Sequence, residues 1–386
     1  MPGVSFGDNG GMTSASHSSD SAEPFEGLRI RGVAKTFGTD TTVLNEIDLD
    51  VHPGELISLV GSSGTGKSTL LRIIAGLEEP SAGRVTYAGQ PLERGSVGVV
   101  FQRPILYPHL SVKDNILFPT RLGAFAGRVD MDYYRELLEA LKLDGLESRK
   151  PSQLSGGQAQ RVGIARALIR RAPVVLFDEP LASVDEEMSA SIRADIVRLH
   201  ERYGFTGLYV THDQNEALML GQRVAVMDAG YLVQVDTPER LLAHPHTLQV
   251  AKLLAAPALN LVALEDSAVL PAGCELAIRA TALYPVAADA AHSLPVQVLG
   301  SRHLVGGMLY RARLLEAVSL PLESRRASAD SELSARMYAR VRAGQELEFF
   351  IPDAQGGTSL SVGDRVHLGV AAERCFLFSE GKRFYL

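Results

Sequence analysis

The sequence has little cysteine, no tryptophan and no long apolar run. Only Cys274 and Cys375 occur among its 386 residues, and neither stands in a metal-binding or Cys-x-x-Cys spacing. A disulfide framework is therefore not expected. No stretch approaches the roughly 20 apolar residues that a membrane-spanning helix needs, and the first residues lack the apolar segment of a signal peptide. Any membrane role is expected to be peripheral.

An excess of positive charge is also missing. The chain carries 38 Lys and Arg against 45 Asp and Glu, a net charge of -7, so bulk electrostatics do not attract it to nucleic acid or to anionic lipid. Its 46% hydrophobic and 22% charged residues are ordinary for globular proteins. At this length two folded domains are expected.

The chain divides into three parts. Residues 1–27 are rich in Gly and Ser and are predicted to form a disordered leader. Short strands alternate with helices over residues 28–257, which predicts an α/β domain with a parallel sheet, and a mostly helical insertion is predicted at about 103–155. From residue 258 to 386, short strand-like runs separated by Gly, Pro and Asp predict a small all-β barrel or sandwich.

One loop has the spacing of a phosphate site. The segment "GSSGTGKS" fits G-x-x-x-x-G-K-[ST] and lies between the strand-like "ELISLV" and the helical "TLLRIIAGL". Glycines let backbone N–H groups surround phosphates, and the helix start adds partial positive charge. Lys67 is expected to reach the β and γ phosphates, and Ser68 to ligate Mg²⁺. The expected nucleotide contacts are Gly61, Ser62, Ser63, Gly64, Thr65, Gly66, Lys67, Ser68 and Thr69.

A second segment, "VVLFDEP", is an apolar strand that ends in two carboxylates. Ligands bind at the carboxyl ends of strands in open α/β folds. Asp178 is therefore expected to hold the Mg²⁺ shell, and Glu179 to polarise an attacking water. Together the two motifs predict a nucleoside triphosphatase, although a soluble kinase or a GTPase could show the same two motifs. A GTPase is disfavoured because no Asn-Lys-x-Asp motif occurs.

The segment "LSGGQ" at residues 154–158 supplies a second helix start suited to a phosphate. With it, the sequence resembles the ATP-binding cassette (ABC) ATPases. That resemblance implies a P-loop cassette with a helical subdomain, and a head-to-tail dimer in which this segment completes the ATP site of the other subunit. The contacts it implies across the dimer are Ser155, Gly156, Gly157, Gln158 and Asp185.

The same resemblance implies roles for single residues. Gln102 in "VVFQRP" matches the family's glutamine that contacts Mg²⁺ or the attacking water. His212 in "YVTHDQNEA" matches the histidine that bonds the γ phosphate and orients Glu179. Asp185 in "LASVDEE" matches an aspartate at the dimer interface, although Val184 replaces the more usual Leu. Phe37 in "KTFG" matches the aromatic residue that stacks on adenine.

Resemblance also indicates the class of transporter. The segments "LYPHLSVKDNI" and "THDQNEALMLGQRVAVMDAGYLVQVDTPERLLAHPHT" are similar to importer ATPases. The β-rich end resembles the OB-like regulatory domain of maltose-type importers, although "AIRATAL" departs from its usual Ile-Arg-Pro-Glu. The implied partners are two permease domains, a second ATPase subunit and, indirectly, an external solute-binding protein. No nucleic acid is expected.

The implied activity is ATP hydrolysis coupled to uptake of a sugar or related small solute, at the cytoplasmic face of the plasma membrane. The alternative is an ABC ATPase that acts on DNA or the ribosome, with the β-rich domain binding nucleic acid. The C-terminal part mixes both charge signs without interleaved aromatic residues, which favours the importer.

Overall fold

The structure, a computed structural model, describes residues 25–121, 129–265, 270, 273–322, 337–353, 359–371 and 374–383. Most of the predicted leader, residues 1–24, lies outside them. The last residues of the predicted leader pack against the folded part of the chain. The ring of Phe25 lies 5.4 Å from the ring of His52, and the guanidinium of Arg29 lies 4.7 Å above the Phe25 ring. Gly27 is buried. The packed part of the chain thus begins before the composition change at residue 27.

A six-stranded sheet forms the centre of the first part. Its strand order is β10-β9-β3-β8-β7-β6, parallel except for the antiparallel edge strand β10. These strands are β3 Leu56–Val60, β6 Gly98–Val100, β7 Val174–Asp178, β8 Thr206–Thr211, β9 Arg223–Asp228 and β10 Tyr231–Asp236. The inner strands are apolar on both faces because each face is covered. Strands β3, β8 and β7 are neighbours, so the segments that follow them meet at one edge.

One face of this sheet carries an antiparallel sheet of order β2-β1-β4-β5 together with the first helix. The elements are β1 Leu28–Phe37, β2 Thr41–Val51, β4 Ala82–Tyr87, β5 Gln90–Pro91 and α1 Lys67–Ile74. Leu70 and Leu71 of α1 pack into the apolar layer between the two sheets. That packing fixes the start of α1 directly after β3.

Helices cover the opposite face. They are α2 Val112–Leu117, α3 Met131–Ala140, α4 Gly156–Leu168, α5 Glu186–Tyr203 and α6 Gln214–Leu220. Between Gln102 and Ser155 the described residues form helices and short 3-10 turns, without strands. Helix α4 is joined to α5 by Arg161 and Asp195, whose charged groups lie 2.8 Å apart.

The second part is built from strands. They form sheets of order β11-β12-β20-β21 and β13-β19-β14-β15-β18 and a pair β16-β17 around one apolar core. The strands are β11 Leu259–Ala263, β12 Glu275–Arg279, β13 Leu283–Val286, β14 Leu294–Leu304, β15 Gly307–Leu314, β16 Val318–Leu322, β17 Met337–Val341, β18 Glu346–Pro352, β19 Arg365–Val370, β20 Cys375–Ser379 and β21 Lys382–Arg383. A P-loop α/β fold followed by a β-rich region confirms the predicted fold class.

Helices α7 (Pro238–Ala243) and α8 (Leu248–Leu253) connect the two parts. Arg279 of β12 donates to the carbonyl oxygens of Leu254 at 2.6 Å and of Leu242 at 3.2 Å, and lies over the Phe376 ring. Burial, together with Arg374, lowers the pKa of Arg279 to about 10. None of the helices in the described ranges is long and apolar enough to cross a bilayer.

Candidate functional site

The phosphate loop, residues 61–68, turns tightly between β3 and α1. Gly66 has φ +100°, and a Cβ added there would lie 2.7 Å from Cδ2 of Leu44. A Cβ on Gly61 would lie 2.3 Å from the carbonyl oxygen of Met227. Only glycine fits these two positions. A Cβ would clash at both, and at Gly66 the positive φ would also strain any other residue. The spacing of the motif therefore has a direct steric basis.

Lys67 lies across this loop. Its Nζ donates to the carbonyl oxygens of Gly61 at 2.8 Å and of Ser62 at 2.9 Å. An ammonium has three donors, so these two bonds leave one for a further acceptor such as a phosphate oxygen. Burial lowers the pKa of Lys67, and the carboxylates of Glu179 and Asp178 oppose that shift.

Ser68 and Asp178 lie together, as the two motifs predict. The Ser68 hydroxyl donates to Oδ1 of Asp178 at 3.3 Å. Burial raises the pKa of Asp178, while the Ser68 hydrogen bond opposes the rise. A hydroxyl and a carboxylate are the oxygen ligands that Mg²⁺ prefers, and a carboxylate whose ionised form is destabilised by burial is stabilised by a nearby cation. This donor pair fits Mg²⁺.

Glu179 and His212 form the second contact at this edge. Nδ1 of His212 lies 2.9 Å from Oε2 of Glu179. The backbone N–H of Glu179 donates to the carbonyl oxygen of Val210 at 2.9 Å, and Glu179 has φ +45°, a left-handed conformation that is uncommon outside glycine. Strain of this kind concentrates at functional sites. A carboxylate beside an imidazole can orient water and accept its proton.

The Leu154–Gln158 segment begins α4 with a capping box. The Ser155 hydroxyl accepts from the N–H of Gln158 at 3.3 Å, and Oε1 of Gln158 accepts from the N–H of Ser155 at 3.0 Å. A Cβ on Gly157 would lie 2.6 Å from Cγ of Met188 in α5, and the N–H of Met188 caps onto Asp185 at 2.9 Å. The starts of α4 and α5, with Gly156 exposed between them, are therefore in contact.

Three other expected contacts lie around these groups. Gln102 is exposed after β6, and its carbonyl oxygen accepts from the Ser183 hydroxyl at 3.1 Å. Phe37 is exposed at the end of β1, with the Lys35 ammonium 4.9 Å above its ring. Thr69 is half-buried in the first turn of α1.

The predicted residues thus fall into two groups. Lys67, Ser68, Asp178, Glu179 and His212 meet where β3, β7 and β8 end. Ser155 to Gln158 and Asp185 meet at the starts of α4 and α5. No hydrogen bond within the described part of the chain joins the second group to the loop at 61–68.

Pattern reasoning does not single out Thr211 and Glu216. Oε2 of Glu216 accepts from the Thr211 hydroxyl at 2.8 Å and from the Tyr209 hydroxyl at 3.2 Å, beside His212. Acidic residues are common in the first turn of a helix. The sequence around Glu216 therefore does not indicate that its side chain is buried.

Comparisons with known proteins identify relatives of this chain. The pattern of the family described as "ABC transporter" matches residues 44–182. The sn-glycerol-3-phosphate import ATP-binding protein UgpC 1 of Rhizobium johnstonii is 44% identical over 241 residues, which are 61% of this chain and 65% of that protein. The UgpC protein of Yersinia pestis is 42% identical over 252 residues, 64% of this chain and 70% of that protein.

The chain thus spans about two thirds of the length of these curated relatives. Among solved structures, CbiO1 of Clostridium perfringens, described as part of the ABC transporter complex CbiONQ, superposes with a TM-score of 0.51 at 27% identity. The match covers 57% of this chain and 92% of that chain.

Proposed function

The chain belongs to the ABC transporter family of ATP-binding proteins, and from this premise we propose that it is the ATP-hydrolysing subunit of an importer. The observation that carries the proposal is the Glu179–His212 contact at 2.9 Å, placed beside the Ser68–Asp178 pair. These four side chains and Lys67 provide what phosphoryl transfer to water requires, namely charge neutralisation and an oriented nucleophile.

The chain's own groups divide this work. The third donor of Lys67 and the N–H groups of the loop bind the β and γ phosphates. Ser68 and Asp178 would hold Mg²⁺, with Gln102 completing its shell; the ion would neutralise charge on the phosphates. Glu179 orients the attacking water. His212 contacts Glu179 through Nδ1, which leaves Nε2 to contact a phosphate oxygen.

The ATP site is proposed to be shared between two copies of the chain. The Ser155 hydroxyl accepts one N–H within its own helix start, which leaves its O–H to donate to a phosphate. Among the described residues no hydrogen bond joins Ser155 to the loop at 61–68 of the same chain, which supports contact with the nucleotide of a second copy. In that arrangement Gly156, Gly157, Gln158 and Asp185 reach across the same interface, and Phe37 stacks on the adenine.

A surface loop is proposed to receive the permease. Ile105 and Tyr107 are exposed, and buried Asn115 holds the loop by accepting from the N–H of Tyr107 at 2.7 Å and donating to its carbonyl oxygen at 3.1 Å. Arg166 of α4 donates to the carbonyl oxygen of Ile105 at 2.6 Å. Movement of α4 is thereby linked to the loop that would contact the membrane domains.

The solute is proposed to be a sugar or a related small polar compound, because the relatives are named as glycerol-3-phosphate import proteins. The chain would act peripherally at the cytoplasmic face, with two permease domains and, indirectly, an external binding protein. Residues 28–257 would be the ATPase domain, and 258–386 an OB-like regulatory domain. No observation favours the alternative of a DNA- or ribosome-directed ATPase, and the curated relatives support the importer.

The shared site is tested by the mass of the protein in solution. Glu179→Gln should bind ATP without hydrolysing it, and light scattering should show a dimer with ATP and a monomer without it. Adding Ser155→Arg to that variant should abolish the dimer, because the new side chain blocks the partner's phosphates. ATP affinity of the monomer should stay within about twofold, since Ser155 serves the other subunit.

Ser96→Arg is the matched control, because it adds the same charge in the turn before β6. It should leave the ATP-dependent dimer intact. A Glu179→Gln protein that stays monomeric while it binds ATP tightly would contradict the shared site. Equal loss of ATP binding and dimer in the Ser155→Arg protein would contradict it as well.

A further inference from the structure

The turn that carries His212 is fixed on both sides. The Thr211 hydroxyl accepts from the N–H of Asp213 at 3.0 Å, across His212. Oδ1 of Asp213 then caps α6 by accepting from the N–H groups of Asn215 at 2.7 Å and Glu216 at 3.0 Å. His212 itself is solvent-exposed, so its neighbours must hold it in place. Its backbone is confined between the end of β8 and the start of α6.

The second anchor of this turn is a buried carboxylate. Glu216 is 7% exposed and accepts from the hydroxyl groups of Thr211 and Tyr209. Its other oxygen lies 3.4 Å from Arg193 of α5, whose Nη2 also contacts Glu186 at 3.2 Å. A buried carboxylate is tolerated only with such partners. Glu216 therefore joins the His212 turn to the helix that Asp185 begins.

We propose that Thr211 and Glu216 are positioning residues for His212. They keep the imidazole in reach of Glu179 through the two hydrogen bonds of the Thr211 hydroxyl, which accepts from the N–H of Asp213 and donates to Glu216. Nδ1 of His212 lies 2.9 Å from Oε2 of Glu179. A misplacement of about 1 Å in a catalytic group can lower a rate ~100-fold. This inference rests on the proposed function, because His212 acts in ATP hydrolysis.

The test replaces threonine by valine at each end of β8, at Thr211 and at Thr206. Thr211→Val keeps the shape of the side chain and removes both hydrogen bonds. We expect kcat for ATP hydrolysis to fall by about 10-fold to 100-fold while KM changes less than about twofold. Thr211→Ser keeps the hydroxyl and should retain most of the activity.

Thr206→Val is the matched control. Thr206 and Thr211 are each 2% exposed, but the Thr206 hydroxyl accepts from the N–H of Gly54 at 3.0 Å, at the opposite end of β8. This variant loses a buried hydrogen bond without affecting the turn, so its kcat should stay within about twofold of the parent. Equal loss of kcat in the Val variants at 206 and 211 would overturn the proposal.

Glu216 is tested by a second pair. Glu216→Gln and Glu216→Leu both remove the negative charge of Glu216 beside Arg193, which keeps its contact with Glu186, but only glutamine keeps an oxygen that can accept from Thr211. We expect kcat to fall further in the leucine variant. Equal kcat in the two variants would show that Glu216 contributes only through Arg193, which would overturn its assigned role.

A double variant shows whether the effect passes through His212. In single-turnover measurements, Thr211→Val should cause no further loss in a His212→Ala background, whereas a general structural defect would lower the rate again. Failure of the proposed function is recognised separately, because the unmodified protein would then not hydrolyse ATP. An active parent with an unaffected Thr211→Val variant would refute the positioning role alone.

Discussion

Asp195 of α5 offers a sharp test of how α4 is held against α5. The Asp195 side chain, 1% exposed, lies 2.8 Å from Arg161 of α4 and 3.8 Å from Lys142, and it also contacts Arg198 of its own helix. Arg161 is 7% exposed and donates as well to the Ser191 hydroxyl at 2.8 Å. Lys142 and Arg198 are more than half exposed.

Asp195→Asn leaves the Arg161 cation buried without an anion. Removing one partner of a buried pair costs about 3–5 kcal/mol. Loss of the contacts to exposed Lys142 and Arg198 adds at most about 1 kcal/mol each, because water replaces their partner. We expect a cost of about 3 kcal/mol, near the lower end, since Ser191 still accepts from Arg161. Arg161→Met should cost less, because Asp195 keeps two cations.

Thermal unfolding followed by far-ultraviolet circular dichroism is the assay, since the chain has no tryptophan to serve as a fluorescent probe. For a domain of about 200 residues, 3 kcal/mol corresponds to a Tm lower by ~6–12 °C. Asp132→Asn, in an exposed pair with Arg135, is the control and should shift Tm little. An Asp195→Asn protein as stable as its parent, or an Arg161→Met protein that loses more stability, would contradict the role of Asp195 as the anion that neutralises Arg161.

Further predictions concern the loop, the junction and acid stability. Gly66→Ala should lose ATP binding, measured by equilibrium titration, more than Gly64→Ala, because an added Cβ clashes at 66 but meets nothing within 4 Å at 64. Arg279→Met should let a protease cleave between the two parts of the chain faster, because it removes two hydrogen bonds to α7 and to the end of α8. An unchanged cleavage rate would show that Arg279 does not hold the two parts together. Burial raises the pKa of Glu55, but the contacts with Arg223 and with the N–H of His52 together outweigh burial, so the pKa lies below its ordinary value of 4.5. This ion pair therefore stabilises the fold above pH 4.5 and is lost as pH falls through the lower folded pKa, so the Tm gap between parent and Glu55→Gln should shrink in acid.

Much of the site is determined by the sequence. The glycines at 61 and 66 can be predicted from the motif alone, because its spacing places glycine at both positions. The positive φ at Gly66 is a local requirement, whereas the clashes that a Cβ would make with Met227 and Leu44 come from the packing around the loop. Asp178 and Glu179 follow an apolar strand, and parallel strands bring their carboxyl ends to one edge of the sheet. The capping box of Ser155 and Gln158 is likewise set by a spacing of three residues.

Only the tertiary structure places Thr211, Glu216 and Asp195 among the residues that matter. Each is an ordinary polar residue by its neighbours in sequence, and each is buried because segments distant along the chain fold over it. Asp195 meets Arg161 from a helix 30 or more positions away, and Glu216 meets Arg193 across two helices. Local periodicity carries no information about such pairs, because burial and charge pairing are decided by the packing of whole elements. Local motifs therefore specify the phosphate site, whereas the packing of α5 and α6 specifies how His212 is held.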